Sequence, residues 1–240
     1  MNKKSEKIGI IFVYLALFLN AYFMQDSFIA LVSAFCGITY TILAGKGNPI
    51  CYFIGLTGSA FYMYLAYSNH LWGNLLLYGL YFVPMQVLGF FKWSQYLKEN
   101  KYEIIKTKLC LKEKVILFSL TLLASILCSA VLAYLEDKSP IIDGFATIFS
   151  ILGMYLTVRR AIEQWYVWAV VNALSFLMWL IIAIQGEKVY STVIMWGVYF
   201  ILALYFHRMW KKELFDTKYF GDKIIQRECE SQKRRGFYGV

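Results

Sequence analysis

Long apolar runs separated by short polar breaks dominate the chain, at 8–24, 27–44, 50–69, 74–91, 115–134, 141–158, 165–184 and 189–210. At about 1.5 Å per residue, each comes close to the roughly 20 residues an α-helix needs to cross a hydrocarbon layer about 30 Å thick. The pattern predicts an all-α integral membrane protein with eight transmembrane helices. The breaks are short except the Lys-rich one between Phe91 and Val115. The first run is the shortest and is parted from the second only by Gln25 and Asp26. No small-residue cleavage site follows it, so it is expected to be a retained N-terminal helix and not a signal peptide.

Repetition groups these helices. YGLYF at 78–82, in the fourth run, is matched by WGVYF at 196–200 in the eighth. At that spacing Asn74 falls opposite Thr192; shifted by one, Gly55 falls opposite Asn172 and Tyr62 opposite Trp179. The expected units are an N-terminal helix (1–26), a first three-helix repeat (27–93), a cytoplasmic loop with a linker helix (94–140), a second three-helix repeat (141–211) and a charged tail (212–240). A single linker helix returns the chain to the face where the first triplet began. The two triplets should therefore run parallel, in a 3+1+3 plan, as in transporters built from parallel repeats.

Composition agrees with this picture and charge orients it. The chain is 60% hydrophobic and only 16% charged, far more apolar than a soluble domain. With the N-terminus in the cytoplasm, all but Lys138 and Lys188 of the 24 basic residues fall on the inner side. Both termini are thus expected to be cytoplasmic. The net charge of +9 reads as topology and attraction to anionic lipid headgroups, not as nucleic-acid binding. Cys36, Cys51 and Cys128 lie in apolar runs, and Cys110 and Cys229 lie on the cytoplasmic side, so no disulfide is expected. His70 and His207 are too isolated for a zinc site, and no cofactor is expected. The absence of a GxxxxGK[ST] loop argues against an ATP-driven pump encoded in this chain.

Candidate chemistry concentrates in EQWYVWAVVNALSFLMWL, 163–180. At about 100° per residue, Trp165, Trp168, Asn172 and Trp179 fall within about 60° of one another on one helix face. Tryptophans alone are explained by the interfacial belt. Asn172 is not, because an amide two turns into a span must find a hydrogen-bonding partner. Helix-to-helix bonding would satisfy it, but its place among indoles points to an aromatic-lined polar cavity for a flat organic molecule. A facing wall comes from Asn74, Tyr78 and Tyr81, and equally from Thr192, Trp196 and Tyr199, at i, i+4, i+7 spacing. Gln86 is a further buried amide. Pro84, just before it, removes a backbone bond and is expected to bend the helix.

The run WxxWxxxN followed by an aromatic seven residues on (Trp165, Trp168, Asn172, Trp179), with the 3+1+3 plan and YFVPMQVLGFFKW at 81–93, resembles the PnuC family of bacterial vitamin transporters over about 27–211. The resemblance implies a fold similar to the sugar-transporting SWEET proteins and a homotrimer in the bacterial inner membrane. It also implies facilitated diffusion of nicotinamide riboside, trapped afterwards by a cytoplasmic riboside kinase. Relatives carry thiamine, riboflavin or deoxynucleosides. The chain departs from the family at Gly47 to Ile50, where a tryptophan-rich helix start is commoner.

The residues agree with such a substrate. Indole and phenol faces hold a pyridinium cation at about 0.5–2 kcal/mol each, and Asn and Gln pair with a carboxamide or ribose hydroxyls. A phosphate would bring nearly two negative charges, and no cationic residue lies mid-span to receive them. No Asp, Glu, Lys, Arg or His lies near the middle of any span, which points to uniport without proton coupling. A membrane ligand sensor would need a signalling partner beyond the charged tail. An enzyme would need a nucleophile, base or metal cluster in the spans, and none has suitable spacing.

Overall fold

The computed structural model describes residues 3–24, 28–68, 75–98, 102–134, 140–184 and 190–216. These form eight helices: α1 (Lys3–Met24), α2 (Phe28–Gly45), α3 (Cys51–Ser68), α4 (π-helical over Leu77–Phe82 and α-helical over Val83–Gln95), α5 (Leu111–Tyr134), α6 (Pro140–Val158), α7 (Gln164–Ile184) and α8 (Tyr190–Asp216). Among the described residues, α5 to α8 are long and apolar enough to cross a membrane. Residues 10–20 of α1 and 31–45 of α2 are apolar but shorter.

Neighbours in sequence pack as antiparallel hairpins, with α3 in the middle of α2–α3–α4 and α7 in the middle of α6–α7–α8. The two sets meet where α2 packs on α8 and α4 on α6. Helix α1 covers α2 and α8, and α5 covers α6, where Thr121, Ser125 and Ser129 form its buried small-residue face.

The turns between α2 and α3 and between α6 and α7 share one hydrogen-bond pattern. Gly47 N–H bonds Ala44 O at 2.9 Å and Asn48 N–H bonds Leu43 O at 3.0 Å; Arg160 N–H bonds Thr157 O at 2.9 Å and Ala161 N–H bonds Leu156 O at 3.0 Å. Both are Schellman caps, which need a left-handed residue just past the helix. Gly47 (φ 72°) supplies it freely, whereas Arg160 (φ 61°) adopts it under restraint. The restraint is visible: its guanidinium lies 3.7 Å from the centre of the Tyr96 ring and donates to Ile105 O at 2.8 Å.

Residues 96–98 and 102–110 lie across both turns. Ile104 N–H bonds Gly47 O and Thr107 N–H bonds Arg160 O, each at 2.9 Å. Lys98 and Lys106 both pair with Glu213 near the end of α8. Burial pushes the Lys106 ammonium down, against the pull of Glu213. Glu163 accepts from Leu109 N–H at 3.2 Å and pairs with Lys114 at 2.7 Å. Helices α2, α4, α6 and α8 therefore all end on this face, and α3, α5 and α7 all begin there.

The shared turns correct one sequence expectation. They set Tyr52 opposite Trp165 and Ser59 opposite Asn172, not Gly55 opposite Asn172 or Tyr62 opposite Trp179. Carrying the α4/α8 spacing back through connections of unequal length slides α3 by four residues. Four residues are close to one helical turn, so the wrong register kept the right face. A second correction concerns Cys110, which is disulfide-bonded where no disulfide was expected; its partner lies outside the described residues.

Candidate functional site

A cavity lies between the two helix sets, with an empty volume of about 910 Å³ including its mouth. Its floor is a buried aromatic cluster at the end where the turns meet. Tyr52 packs edge-on to Trp93 (5.1 Å, 80°), and Trp165 packs edge-on to Trp210 (5.5 Å, 82°). Each of the two outer tryptophans bonds across to the other helix set: Trp93 N–H donates to Thr157 O at 2.9 Å and Trp210 N–H to Gly45 O at 2.6 Å. Trp165 is only 3% exposed. It is therefore part of the core and not of an interfacial belt.

Helix α7 forms one wall, with Gln164, Trp165, Trp168 and Asn172 lining the cavity from its first two turns. Opposite, α3 presents Gly55, Gly58 and Ser59, so the void sits toward the first helix set. A Cβ at Gly55 would come within 2.7 Å of Gln86 Oε1, which is why that position is bare. Helix α4 contributes Tyr78, Phe82 and Gln86, and α8 contributes Trp196 and Tyr199. Tyr78 stacks obliquely on Tyr62 at 4.4 Å, and Trp196 meets Tyr199 edge-on at 5.5 Å.

Of the sequence-derived candidates, Trp165, Trp168, Asn172, Gln86, Tyr78, Trp196 and Tyr199 line the cavity. Tyr81, Trp179 and Thr192 do not. Tyr81 instead donates its hydroxyl to Ile151 O at 2.8 Å. The cause is the π-helical segment, closed by Val83 N–H on Tyr78 O, which takes more residues per turn than the α-helical spacing assumed. Phe82 occupies the face that Tyr81 was expected to hold. Pro84 explains the segment, because it lacks an N–H and its ring crowds the carbonyl four residues earlier. The helix widens at that point. Trp179 and Thr192 lie further along their helices, beyond the cavity; Trp179 is about 10 Å past Asn172 along α7. Asn74 lies outside the described residues.

Sequence reasoning missed Gln164, Tyr40, Thr41, Ser59, Tyr62 and Thr157. Gln164 is 1% exposed and sits at the helix start, where a polar residue reads as interfacial. Tyr40 and Thr41 lie on α2, whose run carries no spaced aromatic motif.

The chemistry of the lining is uncharged, with no Lys, Arg, His, Asp or Glu among its described residues. It is nevertheless polar. Gln86 Nε2 donates to Ser59 Oγ at 2.8 Å, which leaves Gln86 Oε1 without a partner among the described residues. Tyr40 Oη, Gln164 Nε2, Trp165 Nε1 and Trp196 Nε1 are likewise buried and unpartnered. Buried polar atoms are nearly always satisfied, and an unmade bond costs about 1–3 kcal/mol. Their residues all line one void, which makes it a candidate site for a neutral or cationic organic molecule bearing both donors and acceptors. Among the described residues no group of His, Cys, Asp or Glu is placed to hold a metal.

Apolar helices long enough to cross a membrane around an internal polar cavity are the architecture of a membrane protein that takes in a small molecule. The family model described as nicotinamide mononucleotide transporter matches residues 27–212. The chain belongs to this family, the PnuC family. It is 29% identical to the nicotinamide riboside transporter PnuC of Neisseria mucosa, over 79% of this chain and 74% of that one. It is 28% identical to the nicotinamide riboside transporter PnuC of Haemophilus influenzae, over 83% and 88%. A crystal structure of the vitamin B3 transporter PnuC superposes with a TM-score of 0.76 at 26% identity, covering 86% of this chain and 90% of that one.

Proposed function

We propose that the protein carries nicotinamide riboside across the bacterial inner membrane by facilitated diffusion. The observation that carries this reading is the uncharged, aromatic lining with its unpartnered donors and acceptors. A pyridinium ring fits between Trp165, Trp168, Trp196 and the tyrosines, with cation–π attraction of about 0.5–2 kcal/mol per ring. Gln86 Oε1 and Gln164 Nε2 supply the acceptor and the donor that a primary carboxamide or ribose hydroxyls require. The family description names the mononucleotide and the curated relatives name the riboside. The lining favours the riboside, because a phosphate in a cavity without a cation would leave its charge unpaired.

Asn172, Trp165, Trp168, Gln86, Tyr78, Trp196 and Tyr199 are the contacts in this reading. The helices are read as two parallel triplets, α2–α4 and α6–α8, joined by α5 and preceded by α1, with both termini cytoplasmic. Phosphorylation of the riboside by a cytoplasmic kinase would keep the inward gradient, and a homotrimer is the expected assembly. Isothermal titration of the purified protein tests the substrate. Nicotinamide riboside should bind, and the mononucleotide should bind at least about ten-fold more weakly. Tighter binding of the mononucleotide would reject the reading.

A further inference from the structure

Trp168 is held from behind by one helix. Its indole lies on α6 at Gly153, where a Cβ would come within 3.0 Å of the ring at Cε2. One turn along, its N–H donates to Thr157 Oγ1 at 2.9 Å. The Thr157 hydroxyl in turn donates to Gly153 O at 2.8 Å, so its proton is committed and its lone pair faces the indole. Thr157 is only 2% exposed, and its own carbonyl accepts the N–H of Trp93 in the cavity floor. One residue therefore joins the cavity wall to the floor: its hydroxyl and carbonyl make these three hydrogen bonds, and the carbonyl also accepts the N–H of Arg160. The corresponding position on α2, set by the shared turn pattern, is Ala44, which can make no such side-chain bond. The device belongs to one helix set only, the set whose α7 carries the aromatic wall.

We propose that Thr157 is a positioning residue for transport: it fixes the plane of Trp168 so that the indole face is presented to the substrate. The proposal rests on the reading of Trp168 as a wall of the riboside site. A tryptophan that is free to turn about its side-chain bonds must be ordered when the ligand arrives, and that ordering weakens binding. Thr157 removes this cost in advance. Gly153 supplies the flat bed and Thr157 the directional bond; neither alone fixes both tilt and rotation.

Thr157→Val is nearly isosteric and removes the hydroxyl while keeping the backbone carbonyl that holds Trp93. Thr157→Ser keeps the hydroxyl, and Thr157→Ala is a second hydroxyl-free variant in case the valine protein folds poorly. Riboside affinity is measured by titration for each, alone and combined with Trp168→Phe, which keeps an aromatic ring but has no N–H. The valine variant should bind about five-fold more weakly and the serine variant within about two-fold of the parent. In the Trp168→Phe background the valine substitution should change affinity by less than about two-fold, because the bond it removes is already gone. An equal loss in both backgrounds, or no loss in the parent, overturns the proposal while leaving the site intact. Unchanged affinity in Trp168→Phe alone overturns the reading of the site on which the proposal stands.

Discussion

Asn172 and Gln164 show two ways in which a buried amide enters a membrane helix. Asn172 lies two turns inside α7 and is 4% exposed, lining the cavity where lipid would leave it unsatisfied. Replacing it with leucine should leave the thermal stability of the ligand-free protein close to that of the parent, since leucine suits the surroundings. Riboside affinity should fall about ten-fold, the loss of a hydrogen bond to a polar ligand. Titration and a melting curve together check this, and an unchanged affinity removes Asn172 from the site. A second expectation concerns protons. No group in the described lining titrates between about pH 5 and 8, so riboside affinity should be flat across that range, and a titrating step would mean a coupled proton. Asn172 was legible in the sequence because its surroundings are apolar on every side. Gln164 was not, because Arg159, Arg160 and Glu163 precede it and make the segment read as solvent-exposed. Folding buries Arg160, Glu163 and Gln164 alike.

Among the helices, those with unbroken apolar periods were the most legible; α6 and α7 begin and end within a residue of the expected spans. Helix α4 was less so. Its π-helical segment shifts every residue before Pro84 relative to an α-helical count, so Tyr81 turns to α6 and Phe82 faces the cavity. Proline signalled a disturbance, but sequence alone does not say whether a helix bends or widens. The same extra residue hid the equivalence of Trp93 and Trp210, which an alignment through YGLYF and WGVYF puts one position out of step. Both indoles are fully buried and bond a carbonyl of the opposite helix set. Trp93→Phe and Trp210→Phe should therefore each destabilise the fold by a similar amount, about 0.5–1.5 kcal/mol, because each removes one buried hydrogen bond between the helix sets. Melting curves of the two variants side by side decide this. A large shift in one with none in the other would deny that the two clamps are equivalent.

At the scale of the whole molecule, the two helix sets share turns, clamps and floor but not walls. Tyr52–Trp93 and Trp165–Trp210 repeat nearly the same edge-on geometry, while Trp168 and Asn172 on α7 face Gly55 and Ser59 on α3. A repeated frame thus encloses one asymmetric cavity. The eight helices were legible from the count of apolar runs. The asymmetry was not, since it depends on a register that only the hydrogen bonds of the turns reveal. Residues 96–98 and 102–110 were read as part of a Lys-rich loop, yet they lie across both turns and are tied to α8 through Lys106 and Glu213. Their buried Ile104 gave no periodic signal because a single inward residue in a loop has no period.

The central claim is that this cavity moves a cationic riboside down its gradient with no coupled ion. A fixed positive charge on the substrate responds to the membrane potential by about 2.3 kcal/mol per 100 mV, so the potential must be held at zero for a clean test. The measurement is uptake of radiolabelled nicotinamide riboside into liposomes that contain only this protein, under that clamp, with a pH or sodium gradient imposed. The account predicts protein-dependent entry that stops when the inside and outside concentrations are equal, whichever gradient is present. Accumulation beyond equality under either gradient, or no entry at all, would contradict it.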